Sequence, residues 1–309
     1  MRLYLIRHGE TVDNVAGIYA GSRDSALTNH GFQQATRLGQ HFQTNGIRFT
    51  HIFSSPLQRT LKTAELVRHG QLLLPDVDHT SIPRVKPVPE LIEQDFGYYE
   101  GKNWTHMPSK GGKHDRYEQH RAQPGFKEPE SVDSMAARMD SFLSDHLFPL
   151  LREDTTAEDA CVAIVSHGLA MPVMWQQMIL HLPFKSLTAA DHLIEARGTI
   201  VVDRLGGWSN TGYLELDLQR TMTDKFYPGA EAYAEFIVDG GDKDGTCSTS
   251  DDVVAKPKRS IHQFTVTITA INSVEHLKGL KRTGGGVGSS KHDEAQKTID
   301  TFFKRRRVS

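Results

Sequence analysis

The stretch VAIVSHG at residues 162–168 constrains the fold more than any other. Val162, Ala163, Ile164 and Val165 run without polar alternation, and three of the four are β-branched. A strand of this kind buries both faces, which is the condition of a parallel sheet covered by helices on either side. Residues 3–6 (LYLI) and 51–55 (HIFSS) are two further strands, each stopping at polar residues. Helical patterns lie between them. Thr28 is placed to cap a helix whose Phe32, Ala35, Leu38 and Phe42 step along one face and which Gly46 closes. Pro56 opens the next helix, with Leu57, Leu61, Ala64 and Val67 on one side. A third follows Gly168, with Pro172 in its first turn. Strands alternating with helices predict an α/β fold, a three-layer sandwich with a mostly parallel central sheet. Residues 211–218 and 262–271 alternate apolar and polar positions and add strands.

The folded body is expected to span 1–275, interrupted near 238–258 by a polar, Gly-rich insert that reads as mobile. Beyond it, 276–309 reads as a flexible basic tail. It holds nine Lys/Arg against three Asp/Glu, in a chain whose formal net charge is −2. A basic tail on a mildly acidic body is a typical source of such asymmetry. The two cysteines, Cys161 and Cys247, make no disulfide framework, which is expected of a reducing compartment. Neither has a Cys or His partner at ligand spacing, so no metal site is expected. The apolar run at 3–6 is too short for a signal peptide or a membrane span, and an intracellular protein without membrane contact is expected.

Chemistry concentrates at the three strand ends. The first delivers Arg7 and His8, the second Ser54 and Ser55 with Arg59 one turn into the following helix, and the third Ser166 and His167. Ligands of open α/β sheets bind beyond the carboxyl ends of the strands, so two His and two Arg converge there. A guanidinium matches phosphate oxygens with paired hydrogen bonds, and a neutral imidazole can accept a phosphoryl group. A lone histidine in this setting would be read as structural; the grouping is what points to catalysis.

LYLIRHGET with Asn14, FSSPLQRTLKTAE, LIEQDFGYYEG and IVSHG together resemble the histidine phosphatase superfamily, the phosphoglycerate-mutase-like fold, in order and in spacing over residues 1–220. The resemblance implies that His8 is the phosphate-accepting nucleophile, that Arg7 and Arg59 clamp the phosphoryl oxygens, and that His167 adds a donor. It implies that Asn14 contacts phosphate or substrate and that Glu93 is the proton donor, with Asp95 and Glu100 as nearby rivals. No cofactor or metal is implied. Residues 102–130 fall where the family places a variable lid. Lys110, Lys113, His114, Arg116, Arg121 and Lys127 in it favour a small anionic phosphorylated substrate. EGKNW and EPESVDSMAARM resemble the phosphatase branch. The arginine-rich insert expected of glycolytic mutases is not found, which ranks a phosphomutase second. A non-catalytic scaffold is the alternative of another class.

Gln296, Ile299, Phe302 and Phe303 fit Q-x-x-[ILM]-x-x-[FY]-[FY], which resembles the PIP box, a peptide that docks on the sliding clamp PCNA. One helical turn would put Ile299, Phe302 and Phe303 on one side as an apolar plug. The KRRR that follows reads as a nuclear localisation signal, so a nuclear or cytoplasmic location is expected, without sequence-specific nucleic-acid binding.

Overall fold

The computed structural model describes residues 1–73, 81–106, 114–152, 160–183, 186–198, 200–202, 205–220 and 264–293. The expected insert near 238–258 and the motif residues Gln296, Ile299, Phe302 and Phe303 lie outside them. In chain order the elements are β1 (Arg2–Arg7), α1 (Val12–Ala16), α2 (Asn29–Thr44), β2 (His51–Ser54), α3 (Gln58–Leu72), β3 (Val85–Pro87), α4 (His114–Arg121) and α5 (Val132–Phe142). A π-helical turn at Leu143–Leu147 carries α5 into α6 (Phe148–Arg152). Then come β4 (Cys161–Ser166), α7 (Ala170–His181), β5 (Leu187–Ala189), α8 (Asp191–Arg197), β6 (Tyr213–Arg220) and β7 (Phe264–Ser273).

The seven strands form one sheet in the order β3-β2-β4-β1-β6-β7-β5. β1 pairs in parallel with β4, β4 with β2 and β2 with β3, whereas β6 runs antiparallel to both β1 and β7. The sheet is thus mostly parallel. Its two faces bury alternate residues of each strand. On β1, Leu3 and Leu5 meet α5 and α7 through Met139, Phe142, Met171 and Met174. Tyr4 and Ile6 face α2 and α3 through Leu38, Phe42, Ala64 and Val67 on the other side. This is the three-layer α/β sandwich that the strand pattern predicts.

The local signals act as expected at α2, where the Thr28 side chain accepts from Gly31 N and the chain leaves through Gly46 at φ 64°. α2 and α3 cross where Gly39 meets Gly70. A Cβ on Gly70 would lie 2.3 Å from the Gly39 carbonyl oxygen, so the close approach needs both glycines. β3 and β5, three residues each, carry too little pattern to be read in advance.

Residues 276–293 differ from the flexible tail expected of them. His276 is buried and bonds Thr211 Oγ1 at 2.9 Å. Arg37 donates to the Lys278 carbonyl at 3.0 Å, and Arg282 pairs with Glu10 through both carboxylate oxygens. Asn29 Nδ2 donates to the Val287 carbonyl at 2.8 Å, and the His292 ring stacks on Phe32 at 3.8 Å between centroids. Gly285 and Gly286, at φ 66° and 80°, turn the chain tightly enough for these contacts. Glycine-rich composition reports the freedom of the unfolded chain. It says nothing of the polar partners that fix the segment here as a strap across the start of α2.

Candidate active site

Parallel pairing puts the carboxyl ends of β2, β4 and β1 side by side, and the three sets of polar residues meet there. Arg7 ends β1 and His8 follows it, its N–H bonding the Ser166 carbonyl of β4 at 3.1 Å. His167 follows β4, and its ring centroid is 5.2 Å from that of His8. Arg59 lies in the first turn of α3. Glu93 comes just after the short 3-10 turn Pro89–Leu91 that follows β3. Arg7, His8, Asn14, Arg59 and Glu93 line an open cleft of about 460 Å³. His167 lies directly behind His8, completely buried.

Hydrogen bonds fix the protonation of both imidazoles. His8 Nδ1 is 2.7 Å from the Gly9 carbonyl oxygen, which can only accept, so Nδ1 carries the proton and Nε2 a lone pair. His167 Nδ1 is 3.1 Å from Arg59 Nε, which can only donate, so the His167 proton is on Nε2. That Nε2 is buried and has no partner among the described residues, and the same is true of Arg7 Nε. Two buried, unsatisfied donors beside one bare nucleophilic nitrogen form a cradle for an anion. Burial, then the positive fields of Arg59 and Arg7, hold His8 well below the ordinary imidazole pKa, although the Gly9 bond opposes them. Burial and the neighbouring Arg59, His8 and Arg7 do the same to His167. Both rings are therefore neutral near pH 7.

Glu93 is the one of the three rival carboxylates that enters the cleft. Its Oε1 accepts from Gln94 N at 3.0 Å and Ala170 N at 2.9 Å, and its Oε2 from Leu169 N at 3.1 Å. Those bonds and the arginines favour the anion, but burial outweighs them and raises its pKa. Glu100 instead ties a loop together, accepting from the backbone N–H groups of Gly21, Ser22, Arg23 and Phe96. Asp95 pairs with Lys127 at 2.5 Å.

Two expected ligands carry structural duties as well. Arg59, 1% exposed, spends Nε on His167 and three further N–H groups on the carbonyls of Ala20, Gly21 and Arg23. Of its five donors only one remains for a ligand. Asn14 completes a capping box with Thr11, and its Oδ1 also accepts from Asn210, so its amide nitrogen is what it can offer. The basic group expected in the lid dissolves in part. Lys127 is paired with Asp95, and Arg121 lies 3.4 Å from Glu128. Lys110 and Lys113 fall outside the described residues, and the side chains of His114 and Arg116 are not among those described.

Several contributors gave no signal in the sequence. Gly9 N donates to Thr63 Oγ1 at 3.0 Å, and Thr211, at φ 58°, donates its N–H to the carbonyls of Arg7 and His8. A positive φ at threonine is a tertiary effect that no local pattern announces. Tyr19, Phe96, Trp104, Leu169 and Trp208 give the cleft an apolar wall.

The family model described as "Histidine phosphatase superfamily (branch 1)" matches residues 3–209. A broad-specificity phosphatase of Saccharomyces cerevisiae is 28% identical over 69% of this chain and 88% of its own. A probable phosphatase of Schizosaccharomyces pombe is 26% identical over 97% of this chain and 79% of its own. A probable phosphoglycerate mutase of Erwinia tasmaniensis is 34% identical over 59% of this chain and 76% of its own. Among solved structures, mycobacterial hydrolase 1 matches with a TM-score of 0.51 at 18% identity, over 88% of this chain and 98% of that one, a likeness of fold.

Proposed function

Because the chain belongs to the histidine phosphatase superfamily and is a histidine-type phosphatase, we propose that it hydrolyses phosphomonoesters through a phosphohistidine on His8 Nε2, without a metal. The observation that carries this is the bare Nε2 of His8, fixed by the Gly9 carbonyl, in a residue next to two buried donors, Arg7 Nε and His167 Nε2, without a described partner. The Nε2 lone pair attacks phosphorus as the bond from phosphorus to the ester oxygen breaks. Glu93, whose pKa burial raises, gives its proton to that oxygen and the alcohol leaves. Water then attacks phosphorus, and Glu93 takes its proton. The phosphorus–nitrogen bond breaks, and phosphate and neutral His8 are restored. Phosphoryl transfer asks mainly for positioning and charge stabilisation, which Arg7, Arg59 and His167 supply to the equatorial oxygens.

Rapid acid-free quenching with labelled substrate tests this: label bound to protein and lost in His8→Ala supports it. Hydrolysis that survives His8→Ala, or that chelators abolish, would sink it. The similarity to a probable phosphoglycerate mutase gives the second reading. In that case the phosphoryl group returns to a second hydroxyl of the same molecule faster than it passes to water, and product analysis in the same assay separates the two.

The tail adds an address. Gln296, Ile299, Phe302 and Phe303 dock on PCNA as a short helical plug, and residues 304–307 (KRRR) direct the chain to the nucleus. Capture of PCNA by the full chain, compared with the Phe302→Ala/Phe303→Ala variant, measures the first; equal capture by both excludes it.

A further inference from the structure

The cleft is built of two unlike halves. Its floor holds His8, Arg7, Arg59 and Glu93. Its wall holds Ile18, Tyr19, Phe96, Trp104, Leu169 and Trp208. Trp104 is 50% exposed and Leu169 47%, so both keep apolar surface open to a ligand. Tyr19 and Phe96 lie 4.5 Å apart between ring centroids, tilted by 46°, so that Phe96 supports Tyr19 from behind the surface. The wall is held in place. Tyr19 N donates to the Lys102 carbonyl at 2.9 Å and Trp104 N to the Gly17 carbonyl at 2.9 Å, so residues 17–19 and 101–104 brace each other.

Among the described residues, that wall carries no charged side chain. Among the described lining residues, the cations are Arg7 and Arg59, both at the floor. Three described cations on neighbouring loops have partners of their own. Lys102 Nζ sits 2.7 Å from the Tyr98 ring centroid, Arg23 lies 3.6 Å from Asp13, and Lys127 is bonded to Asp95. A second phosphate or a carboxylate entering beside the reacting group would lose its water without gaining a described partner, a costly exchange. A flat, uncharged ring would instead bury apolar area against the exposed side chains of Trp104 and Leu169.

Resting on the phosphatase reading, we infer that the substrate class is the monophosphate ester of an aromatic-ring-bearing alcohol or nucleoside. The aromatic wall is then the specificity element, and Trp104 its most accessible member.

The test uses the full chain and alkyl leaving groups, so that leaving-group acidity does not imitate recognition. Phenethyl phosphate is compared with glycerol phosphate and with phosphoglycerate, and adenosine monophosphate is included to distinguish a nucleoside from a simple aryl source. The expected result is a kcat/KM at least about tenfold higher for one of the ring-bearing esters, carried mainly by KM. In Trp104→Ala the ratio of ring-bearing ester to glycerol phosphate falls about five- to tenfold, and Trp104→Phe restores most of it. Equal rates on all esters, or a preference for phosphoglycerate, overturn the substrate class while leaving a His8-dependent phosphatase standing. A ratio that Trp104→Ala does not move removes the wall from recognition. If no ester yields His8-dependent phosphate, the phosphatase reading itself fails, and the substrate class with it.

Discussion

The floor of the cleft and the strap over the start of α2 hold the same few residues by opposite means. The floor is dry. His8, Arg59, Glu93 and His167 are buried at the ends of parallel strands, and the sheet sets their positions. The strap, residues 276–293, is largely exposed, rich in glycine, and attached by polar atoms: Arg282 to Glu10, Asn29 to Val287, His276 to Thr211. Both reach the nucleophile's segment. Thr211 donates to the carbonyl of His8, and Glu10 stands two residues beyond His8. The family match ends at residue 209, so the floor belongs to the shared fold and the strap lies outside the matched region. The lesson is that chemistry demands burial and covalent register, whereas a segment outside the matched region can attach through a handful of hydrogen bonds.

If that division holds, substitutions should rank by which region they touch. His8→Ala comes first: activity falls by at least about a thousandfold, as expected when the covalent step is lost, while thermal unfolding stays near wild type or rises slightly. A buried, neutral imidazole is a cost to the fold that alanine relieves. A large fall in Tm together with activity would place His8 among the structural residues of the floor.

Glu93→Gln is next. The amide oxygen can keep the bonds from Gln94 N and Ala170 N while Leu169 N loses its acceptor, so the fold persists at a modest cost, and loss of the proton donor lowers kcat about a hundredfold to ten-thousandfold. The pH profile sharpens this. Burial raises the Glu93 pKa, and the first step needs the protonated form, so kcat/KM falls as pH rises through that raised value. The alkaline limb should vanish in the variant. A limb that persists unchanged assigns the proton to another group.

How much of this was legible in advance follows the same boundary. The floor was legible because parallel strands announce themselves by unbroken apolar runs, and because Arg7, His8, Arg59 and His167 sit at fixed offsets from them; Glu93, beyond the short β3, was legible only through the family resemblance. The double duty of Arg59 was not, since the carbonyls of Ala20, Gly21 and Arg23 come to it only through tertiary folding. Nor was the strap. KRTGGGVGSSKHD reads as a linker because its partners, Glu10, Asn29 and Phe32, lie 258 to 272 residues earlier. Composition sees local freedom and cannot see a distant acceptor.

His276 tests the strap by pH. Burial first, then His41 and Arg37, lower its pKa from 6.5 to about 3. The unfolded chain therefore binds a proton between those values that the folded chain refuses. Stability from this residue is fully present above about pH 6.5 and is lost as pH falls toward 3. His8 and His167 act in the same direction, so the difference between proteins is the readout. Between pH 7 and pH 4, wild type should lose more stability than His276→Gln, by about 1 to 3 kcal/mol. Equal losses in urea titrations at the two pH values would mean that the strap does not keep His276 dry in solution.

The smallest effect is expected at Arg282, and it bears most directly on the division between the two regions. Its guanidinium is partly exposed, whereas the Glu10 carboxylate is mostly covered and also accepts from Thr28 Oγ1 at 2.8 Å. An ion pair with one exposed partner contributes little, so Arg282→Ala should cost about 0.5 to 1 kcal/mol, more at low salt than at high. Activity should drop by no more than about threefold, because Glu10 keeps Thr28, and Gly31 still packs against the Glu10 carbonyl, where a Cβ would come within 2.0 Å. The segment carrying His8 is then held by the sheet and α2, with the strap as a secondary brace. A tenfold or larger fall in kcat, with KM unchanged and stability reduced by no more than the expected amount, would reverse that order and make the strap part of what positions the nucleophile.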